Sequence, residues 1–261
     1  ILISTMKNIS FIFILLFCSF LMGSAYAEDV LGDVSISVDN NNQQVFTEDG
    51  TSLTITNSAT LTIVPQHGIN INTKTNGTVT VDPGSTVTAT RDNAIQGKNQ
   101  SGLTVTNSGT INTDGSKAIN LKDAEDSTIT NNLGGIISGE GDSISGEAAT
   151  GVNIANNGTI YSDNGRALTF FSTSTATVTN NSSGHIYNSN TYEAIKLDGS
   201  STLTNSGKIE NKNSPDNNSI VLEGNDNTIT LKDKSILVGT INAGSTTGNT
   251  LKFQHGMGQG Y

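Results

Sequence analysis

The amino-acid sequence predicts an all-β fold, a right-handed parallel β-helix (β-solenoid) of about 8 to 10 three-sided coils. Short motifs rich in β-branched residues recur about every 25 residues, and turn-forming Gly, Asn, Asp and Ser separate them. No long segment repeats its apolar residues with the helical period of about 3.6 residues, which argues against helical repeats. A Greek-key sandwich also has short strands, but it gives no reason for one apolar register to return at a constant interval.

The first motif of most repeats contains an apolar residue followed two positions later by Asn. It reads LTITN at Leu53 to Asn57 and LTVTN at Leu103 to Asn107. The apolar mark of the motif falls at Ile55, Val79, Val105, Ile129, Ile154, Val178, Leu203 and Ile229. Successive marks are 24 to 26 residues apart. Such a regular interval predicts that each unit is one coil of a stacked structure.

A second and a third motif follow within the repeats. The second reads SGTI, GGI, NGTI, SGHI or SGKI, and the third reads AINL, ALTF, AIKL or SIVL. Side chains alternate along a strand, so Val105 and Asn107 share one inward face, and Ile119 and Leu121 share another. Ile111 lies on the strand between these two faces. One unit therefore has only about five inward residues, too few to enclose a core. Neighbouring coils must therefore stack.

The recurring Asn predicts a column of side chains at one inner corner of the coil. Stacked amides can hydrogen-bond along such a column, and Asn tolerates the left-handed backbone that a sharp corner requires. The expected members are Asn57, Asn107, Asn131, Asn156, Asn180 and Asn205. Val81 and Leu231 take the place of Asn in two repeats, so we expect the column to break there. This explanation makes the Asn residues structural.

Charge excludes some classes of partner. The chain of 261 residues carries 13 Lys and Arg against 23 Asp and Glu, a formal net charge of -10, and its only Arg residues are Arg91 and Arg166. Nucleic acid is not expected as a partner, because phosphate binding needs clustered cations. Anionic membranes are disfavoured for the same reason. No cofactor and no small-molecule substrate are expected.

The N-terminus has the pattern of a secretory leader over residues 1–27. An apolar run from Ile9 to Met22 precedes the small-residue pattern of Ala25–Ala27, and we expect cleavage after Ala27. Met6 is the expected start of translation. The one cysteine, Cys18, lies inside the leader, so the mature chain is expected to contain no disulfide. The expected organisation after the leader is an N-terminal capping region at 28–52, β-helix repeats at 53–253 and a short end at 254–261.

Motifs that carry chemistry are scarce, and no catalytic, cofactor-binding or metal-binding residue is predicted. The segment GDSI at 141–144 resembles the nucleophile block of one lipase class, but it falls in the middle of a repeat. His67, His185 and His255 are dispersed and are expected to lie in turns or face solvent. The carboxylates Asp123, Glu125 and Asp126 could serve a carbohydrate-active site or a weak calcium site, but their place between an AINL strand and the next coil favours a solvated loop.

Aromatic residues give one local indication of a contact surface. Tyr161 and Tyr187 both follow the Ile of the second motif in adjacent repeats, so their rings are expected to stack outward. Phe171 is expected to project from its coil in the same way. These rings could form a small ledge for a sugar or a protein, or they could simply stiffen the wall.

The leader, the coils of the type TNSGTI…AINL and the stretch NTITLKDKSILVGTINAGSTTGNTLKF at Asn227–Phe253 resemble the passenger region of Gram-negative autotransporters, which use type V secretion. The resemblance implies export across the inner membrane, then passage of the passenger through the outer membrane by a C-terminal translocator β-barrel. It also implies a location at the cell surface or in the medium. The sequence after Phe253 has no barrel-like strands, so we expect residues 254–261 to be a truncated end before a missing translocator.

These observations favour a non-enzymatic passenger that acts as an adhesive or structural stalk. Its expected ligand is a host surface, a glycan or a neighbouring cell. Two alternatives stay open. One is a carbohydrate-active β-helix enzyme, a polysaccharide lyase or hydrolase, which would need converging carboxylates on one outer face. The other is a surface protein that associates with itself through unpaired strand edges.

Overall fold

The computed structural model describes residues 27–64 and 66–254, and in these residues every regular element is a β-strand. The predicted leader up to residue 26, with Cys18, lies outside the described residues, as do His255 and the rest of the predicted end. The strands form three parallel sheets of ten, ten and eight strands. The chain visits the sheets in turn, which makes each circuit one three-sided coil. The predicted parallel β-solenoid is confirmed.

The first and second sheets each contain ten strands in chain order. The first sheet consists of β1 (Ala27–Val30), β3 (Gln43–Phe46), β6 (Ile69–Asn70), β9 (Ile95–Gln96), β12 (Ile119–Asn120), β15 (Ile144–Glu147), β18 (Leu168–Phe171), β21 (Ile195–Leu197), β24 (Asn218–Leu222) and β27 (Thr240–Asn242). The second sheet consists of β2 (Asp33–Ile36), β4 (Ser52–Ile55), β7 (Thr78–Val81), β10 (Thr104–Asn107), β13 (Thr128–Asn131), β16 (Val152–Asn156), β19 (Ala176–Asn180), β22 (Thr202–Asn205), β25 (Thr228–Lys232) and β28 (Thr250–Gln254).

The third sheet has eight strands and begins later in the chain. It consists of β5 (Thr60–Ile63), β8 (Thr86–Ala89), β11 (Thr110–Thr113), β14 (Ile136–Gly139), β17 (Thr159–Ser162), β20 (His185–Asn188), β23 (Lys208–Asn211) and β26 (Ile236–Val238). Each strand pairs with the equivalent strand of the coils before and after it. The stacking therefore supplies the backbone hydrogen bonds that one coil lacks.

The core follows from alternation along the strands. In β10 the inward Val105 and Asn107 are fully buried, whereas the outward Thr104 and Thr106 are partly exposed. The same inward positions recur in the neighbouring coils, and their side chains form one continuous apolar cluster along the rod. Burial of apolar surface stabilises the stack by about 25 cal/mol per Å². A single coil buries little of this surface without its neighbours.

The register corrects one predicted apolar mark and the position of the inward Ile in the GGI motif. Leu53 pairs with Val79, and Ile55 pairs with Val81. Both Leu53 and Ile55 face inward, so the motif alone does not distinguish them. In the GGI repeat the inward residue is Ile137, which pairs with Ile111, and Ile136 is partly exposed. One extra residue, Leu133, is 77% exposed in the turn before β14, which shifts the motif by one position.

The solenoid also begins earlier than the predicted boundary at residue 53. β1 pairs with β3 and β2 pairs with β4, each in a parallel register of four residues. Val30 and Phe46 already contribute to the buried core. The segment 28–52 therefore supplies solenoid strands. Its short runs DVSI and QQVF lack the Asn and Gly of the later repeats. The repeat motifs therefore do not identify them as solenoid strands.

Candidate functional site

Tyr161 and Tyr187 form a stacked pair on the outer face of the third sheet. They occupy the same position of adjacent strands β17 and β20, where the parallel register aligns them. Their ring centroids are 4.9 Å apart and the ring planes differ by 7°. This separation matches the spacing of neighbouring strands, about 4.8 Å. The coil repeat thus places the two rings face to face.

Charged and polar groups surround Tyr187. The His185 ring lies 4.6 Å from the Tyr187 ring, tilted by 40°. The ammonium group of Lys212 lies 3.2 Å from the centroid of Tyr187, a cation–π contact. We call Tyr161, His185, Tyr187, Glu210 and Lys212 the tyrosine cluster.

Glu210 connects the cluster to the next coil. It takes the position equivalent to Tyr187 in β23, and its Oε2 lies 3.0 Å from His185 Nε2 and 2.7 Å from Lys208 Nζ. The carboxylate is largely shielded, with 16% of its side chain exposed. Burial acts to raise the pKa of Glu210, but the contacts with Lys208 and His185 outweigh it, and the pKa is lowered. Glu210 is therefore a carboxylate at neutral pH.

His185 and Tyr187 have shifted pKa values in the directions expected of shielded groups. Burial, helped by the positive charges of Lys208 and Lys212, lowers the pKa of His185, although Glu210 acts in the opposite sense. The close Glu210 contact alone favours a charged imidazole, but desolvation and two ammonium groups together outweigh one carboxylate, so His185 is neutral near pH 7. Burial also raises the pKa of Tyr187, with smaller effects from Tyr161 and nearby acids.

One side of the tyrosine pair is bordered by small side chains. The position next to Tyr161 in the preceding coil is Ser138, and Asn112 and Thr88 continue the same column. No aromatic ring among the described residues stacks on Tyr161 from this side. The face of Tyr161 that points toward Ser138 is therefore the open side of the tyrosine cluster, bordered by hydroxyl and amide groups.

Phe171 does not join this cluster. It ends β18 in the first sheet, where it is half-buried and pairs with Glu147, whereas the tyrosines lie on the third sheet. The three aromatic residues suggested by the sequence therefore form one pair and one separate side chain.

Asn107, Asn131, Asn156, Asn180 and Asn205 form a buried column beneath the second sheet. In four successive links the Nδ2 of one Asn donates to the Oδ1 of the next over 2.8 Å. Several Nδ2 groups also donate to backbone carbonyls, as Asn131 does to Gly135 and Thr159. Each link joins two coils, so the column ties five coils together.

Asn57 is not part of this column. The register places Ile55 where the other coils have Asn, while Asn57 is exposed in the turn with a φ of 55°. Val81 and Leu231 stand in register with Asn107 and Asn205 and end the column on each side. At the first end, the Oδ1 atom of Asn107 is buried without a hydrogen-bond partner.

Glycines line the corner beside the Asn column. A Cβ at Gly158 would collide with the carbonyl oxygens of Gly135 and Asn132, and one at Gly184 would collide with Asn180 and the Asn156 carbonyl. The backbone of one coil thus packs directly on the backbone of the coil before it. This close approach explains the Gly of the second motif better than a turn requirement alone.

The GDSI segment lies within the solenoid wall. Ile144 pairs with Ile119 and Leu168, and Ser143 is fully buried. The Ser143 hydroxyl accepts from the Gly139 N–H and donates to the Tyr161 carbonyl. A buried and doubly bonded hydroxyl has no access to a substrate, so the geometry offers no nucleophile here.

Two histidines have closer partners than the sequence suggested. His67 Nδ1 lies 2.9 Å from Asp92, and His185 contacts Glu210 as described above. Burial lowers the pKa of His67 while Asp92 acts to raise it. Among residues 27–64 and 66–254, no group of three or more His, Cys, Asp or Glu side chains could hold a metal ion. In that same part of the chain, no helix is long and apolar enough to cross a membrane.

The acidic segment after β12 forms a corner of the coil. Asp123 and Asp126 have positive φ angles of 53° and 50°, and Glu125 makes isolated bridges to Ser101 and Thr150. Lys122 pairs with Glu147 over 2.8 Å at the edge of this corner. The carboxylates are therefore spread along a turn.

The chain was compared with protein-family models, curated proteins and solved structures, and none of them matches it.

Proposed function

We propose that this protein is a non-enzymatic autotransporter-like passenger, exported to the cell surface or released from it, which acts as an adhesive stalk. The tyrosine cluster is its proposed contact site, and a neutral glycan is its proposed ligand. The observation that carries this proposal is the stacked Tyr161–Tyr187 pair on the outside of a rigid rod. The sequence resemblance to autotransporter passengers supports the export step.

Rigidity supports the role of a stalk. The second sheet keeps one continuous parallel register over ten strands, and the Asn column adds four buried side-chain links. Hydrogen bonds of this kind are stronger in a shielded interior than in water. A rod built in this way keeps a surface patch at a fixed distance from its base.

The chemistry of the cluster supports a glycan. Tyr rings offer a large apolar face and a polar tip, which suits the alternating C–H faces and hydroxyl edges of a sugar. The hydroxyl and amide groups of Ser138 and Asn112 border the open side of Tyr161, where they could bind sugar hydroxyls. The net charge of -10 disfavours anionic polymers, so a neutral glycan is the better ligand.

A glycan array probed with the purified chain tests this proposal. We expect binding to one class of neutral glycan, and loss of that binding in Tyr161→Ala. Phe171→Ala is the matched control, because it removes an aromatic ring from a different sheet and should leave binding intact. Equal binding by all three proteins, or no binding by the unmodified chain, contradicts the proposed contact site. Shortening of the bound glycan during incubation would instead favour the carbohydrate-active alternative.

Surface display has its own test. Antibodies raised against the purified chain should label intact cells of the source bacterium or detect the protein in the medium.

We further propose that each coil folds onto the previous one outside the cell, and that this folding favours movement of the chain out of the cell. Ile160→Asp with Ile186→Asp places two charges in the core of adjacent coils and should abolish surface labelling. Normal labelling of this variant contradicts the export hypothesis, whatever the outcome of the glycan array.

A further inference from the structure

The outer face of the second sheet is a regular grid of threonines. Two side chains point outward from each of the seven strands β4 to β22 and three from β25, and thirteen of these seventeen positions are Thr. They are Thr54, Thr78, Thr80, Thr104, Thr106, Thr128, Thr130, Thr177, Thr179, Thr202, Thr204, Thr228 and Thr230. We call them the threonine face. The remaining positions are filled by Ser52, Asn153, Ala155 and Lys232.

The hydroxyls of this face are unused by the fold. Within the described part of the chain, none of the thirteen side chains makes a hydrogen bond, and all except Thr230 are partly or fully exposed. By contrast, Thr88 on the third sheet bonds to Asn112 over 2.5 Å. Because Thr is β-branched, its χ1 angle is restricted, so the hydroxyl and methyl groups hold fixed positions. The face therefore presents an ordered set of free hydroxyls.

The middle of the face carries no charge. From Ser52 to Thr230, no Asp, Glu, Lys or Arg occupies an outward position of the second sheet, although the chain carries a net charge of -10. Asp33 lies at one end of the sheet, and Lys232 and Lys252 lie at the other. The charges lie at other sites, such as the Lys122–Glu147 and Lys196–Glu223 pairs near the first sheet. Because these outward positions carry no charge, they do not attract ions. Bound ions would disturb the water on this face.

The spacing of the grid selects the ligand. Equivalent Thr residues repeat every ~4.8 Å from coil to coil, and the two Thr of one strand are about 6.6 Å apart. No register shift interrupts the pairing of β4 to β25. The water oxygens of ice form a lattice whose repeats are of the same order. Hydroxyls on such a grid can take the places of lattice waters, since each one donates one hydrogen bond and accepts two. We propose that the threonine face binds ice.

Other occupants fit this face less well. A second copy of the chain would bring two net charges of -10 together, and the only cations on this sheet within the described residues, Lys232 and Lys252, lie at one end of it. A glycan would be held by aromatic rings, and those of the tyrosine cluster lie on the third sheet. Ordered water needs neither charge nor rings, only hydroxyls and methyl groups at regular positions.

One coil interrupts the grid and provides a test of its regularity. β16 carries Asn153 and Ala155 where the coils on both sides carry Thr128 and Thr130, and Thr177 and Thr179. Restoring Thr at both positions makes the face continuous from β7 to β25. If the grid binds ice, the double variant Asn153→Thr with Ala155→Thr should bind it more strongly. A purely structural role for the threonines gives no reason for such a gain.

The experiment measures thermal hysteresis and inhibition of ice recrystallisation by the purified chain. We expect activity in the unmodified chain, loss of it in Thr130→Lys and a gain in the Asn153→Thr, Ala155→Thr variant. Thr62→Lys is the matched control, since it adds the same side chain to an outward position of the third sheet. Circular dichroism of each variant establishes that the fold is intact.

Three results overturn the inference. The first is a folded, unmodified chain without effect on ice. The second is equal activity in Thr130→Lys and Thr62→Lys. The third is a dimer in size-exclusion chromatography that Thr130→Lys dissociates, because a second copy would then cover the threonine face. None of these results bears on the glycan array, which tests a different sheet.

Discussion

The Nδ2 atom of Asn131 donates a hydrogen bond of 2.8 Å to the Oδ1 atom of Asn156, which lies 25 residues later in the chain. Both side chains are fully buried. An amide buried alone would cost about 1 to 3 kcal/mol in lost hydration. The column removes this cost for each interior member, because the donor of one coil meets the acceptor of the next.

Replacement of Asn156 tests the column at its centre. Asn156→Val removes the links to Asn131 and Asn180, and it leaves the Oδ1 atom of Asn180 without its side-chain donor. We expect the free energy of unfolding to fall by about 2 to 3 kcal/mol. Urea unfolding followed by circular dichroism measures this change.

Asn107→Val is the matched control at the end of the column. It breaks one link of the column, to Asn131, together with the hydrogen bonds that the Asn107 Nδ2 donates to the Gly109 and Ile136 carbonyls. It also removes an Oδ1 atom that is already buried without a partner. The new side chain packs against Val81 of the preceding coil. Because the variant removes this unpaired Oδ1 atom, its cost should be smaller than that of Asn156→Val, and an equal or larger cost argues against the column as a cooperative unit.

Close backbone packing at the corner is tested by Gly184→Ala. The added Cβ meets the Asn180 side chain and the Asn156 carbonyl, neither of which can move without breaking a link of the column. We expect a loss of about 2 kcal/mol. At Gly97 the nearest atom to an added Cβ is the Cδ2 of Leu103 at 3.0 Å, the end of a flexible side chain. Gly97→Ala should thus lower the melting temperature less, and the reverse order would refute the packing argument.

Much of the fold was predictable, because the same pattern of inward residues returns in every coil. The error at Asn57 has a physical cause. The segment LTITN contains two apolar residues at alternate positions, and both Leu53 and Ile55 face inward. Only the pairing of Leu53 with Val79 decides the register, and this pairing depends on contacts between coils. A motif match within one coil could not supply that information.

The candidate site was predictable only in part. The Tyr161–Tyr187 stack follows from two equivalent positions in adjacent coils. The partners of His185 follow from the next coil, where SGKIEN aligns with SGHIYN and places Glu210 beside Tyr187. The position of Glu210 beside Tyr187 is therefore evident only when whole coils are aligned. The contact of Lys212 with the Tyr187 ring depends on how the chain turns after β23, which no motif specifies.

Acid should destabilise the fold through the half-buried His67 and His185. Burial lowers the pKa of His185 below its ordinary value of 6.5, and it lowers the pKa of His67 as well. The unfolded chain therefore binds protons more readily, and the stability present above pH 6.5 is lost as the pH falls through the window below it. We expect the melting temperature to drop between about pH 7 and pH 5.

The variant His185→Gln distinguishes the contribution of His185 to this pH dependence from that of His67. Gln cannot take up a proton, so the variant should lose less stability on acidification than the unmodified chain, while His67 keeps part of the effect. Melting curves recorded across this pH range for both proteins provide the comparison. An identical pH dependence would mean that His185 does not contribute.

Alkali should act on the tyrosine cluster in a related way. Burial raises the pKa of Tyr187 above its ordinary value of 10.0, with further contributions from Tyr161, Asp163 and Glu210. The folded state favours the neutral phenol, so stability is retained below pH 10.0 and is lost as the pH rises above it, where the unfolded chain ionises first.

Asp163→Asn removes one negative charge and should lower the pKa of Tyr187 modestly, because burial remains the larger cause. Resolved titration of the Tyr187 ring by NMR, assigned through Tyr187→Phe, measures the shift. Asp216→Asn, an exposed site in the loop after β23, is the control and should leave the titration unchanged. If Asp163→Asn and Asp216→Asn both leave the titration unchanged, the charge of Asp163 does not reach the ring, and burial with the contributions of Tyr161 and Glu210 sets the pKa.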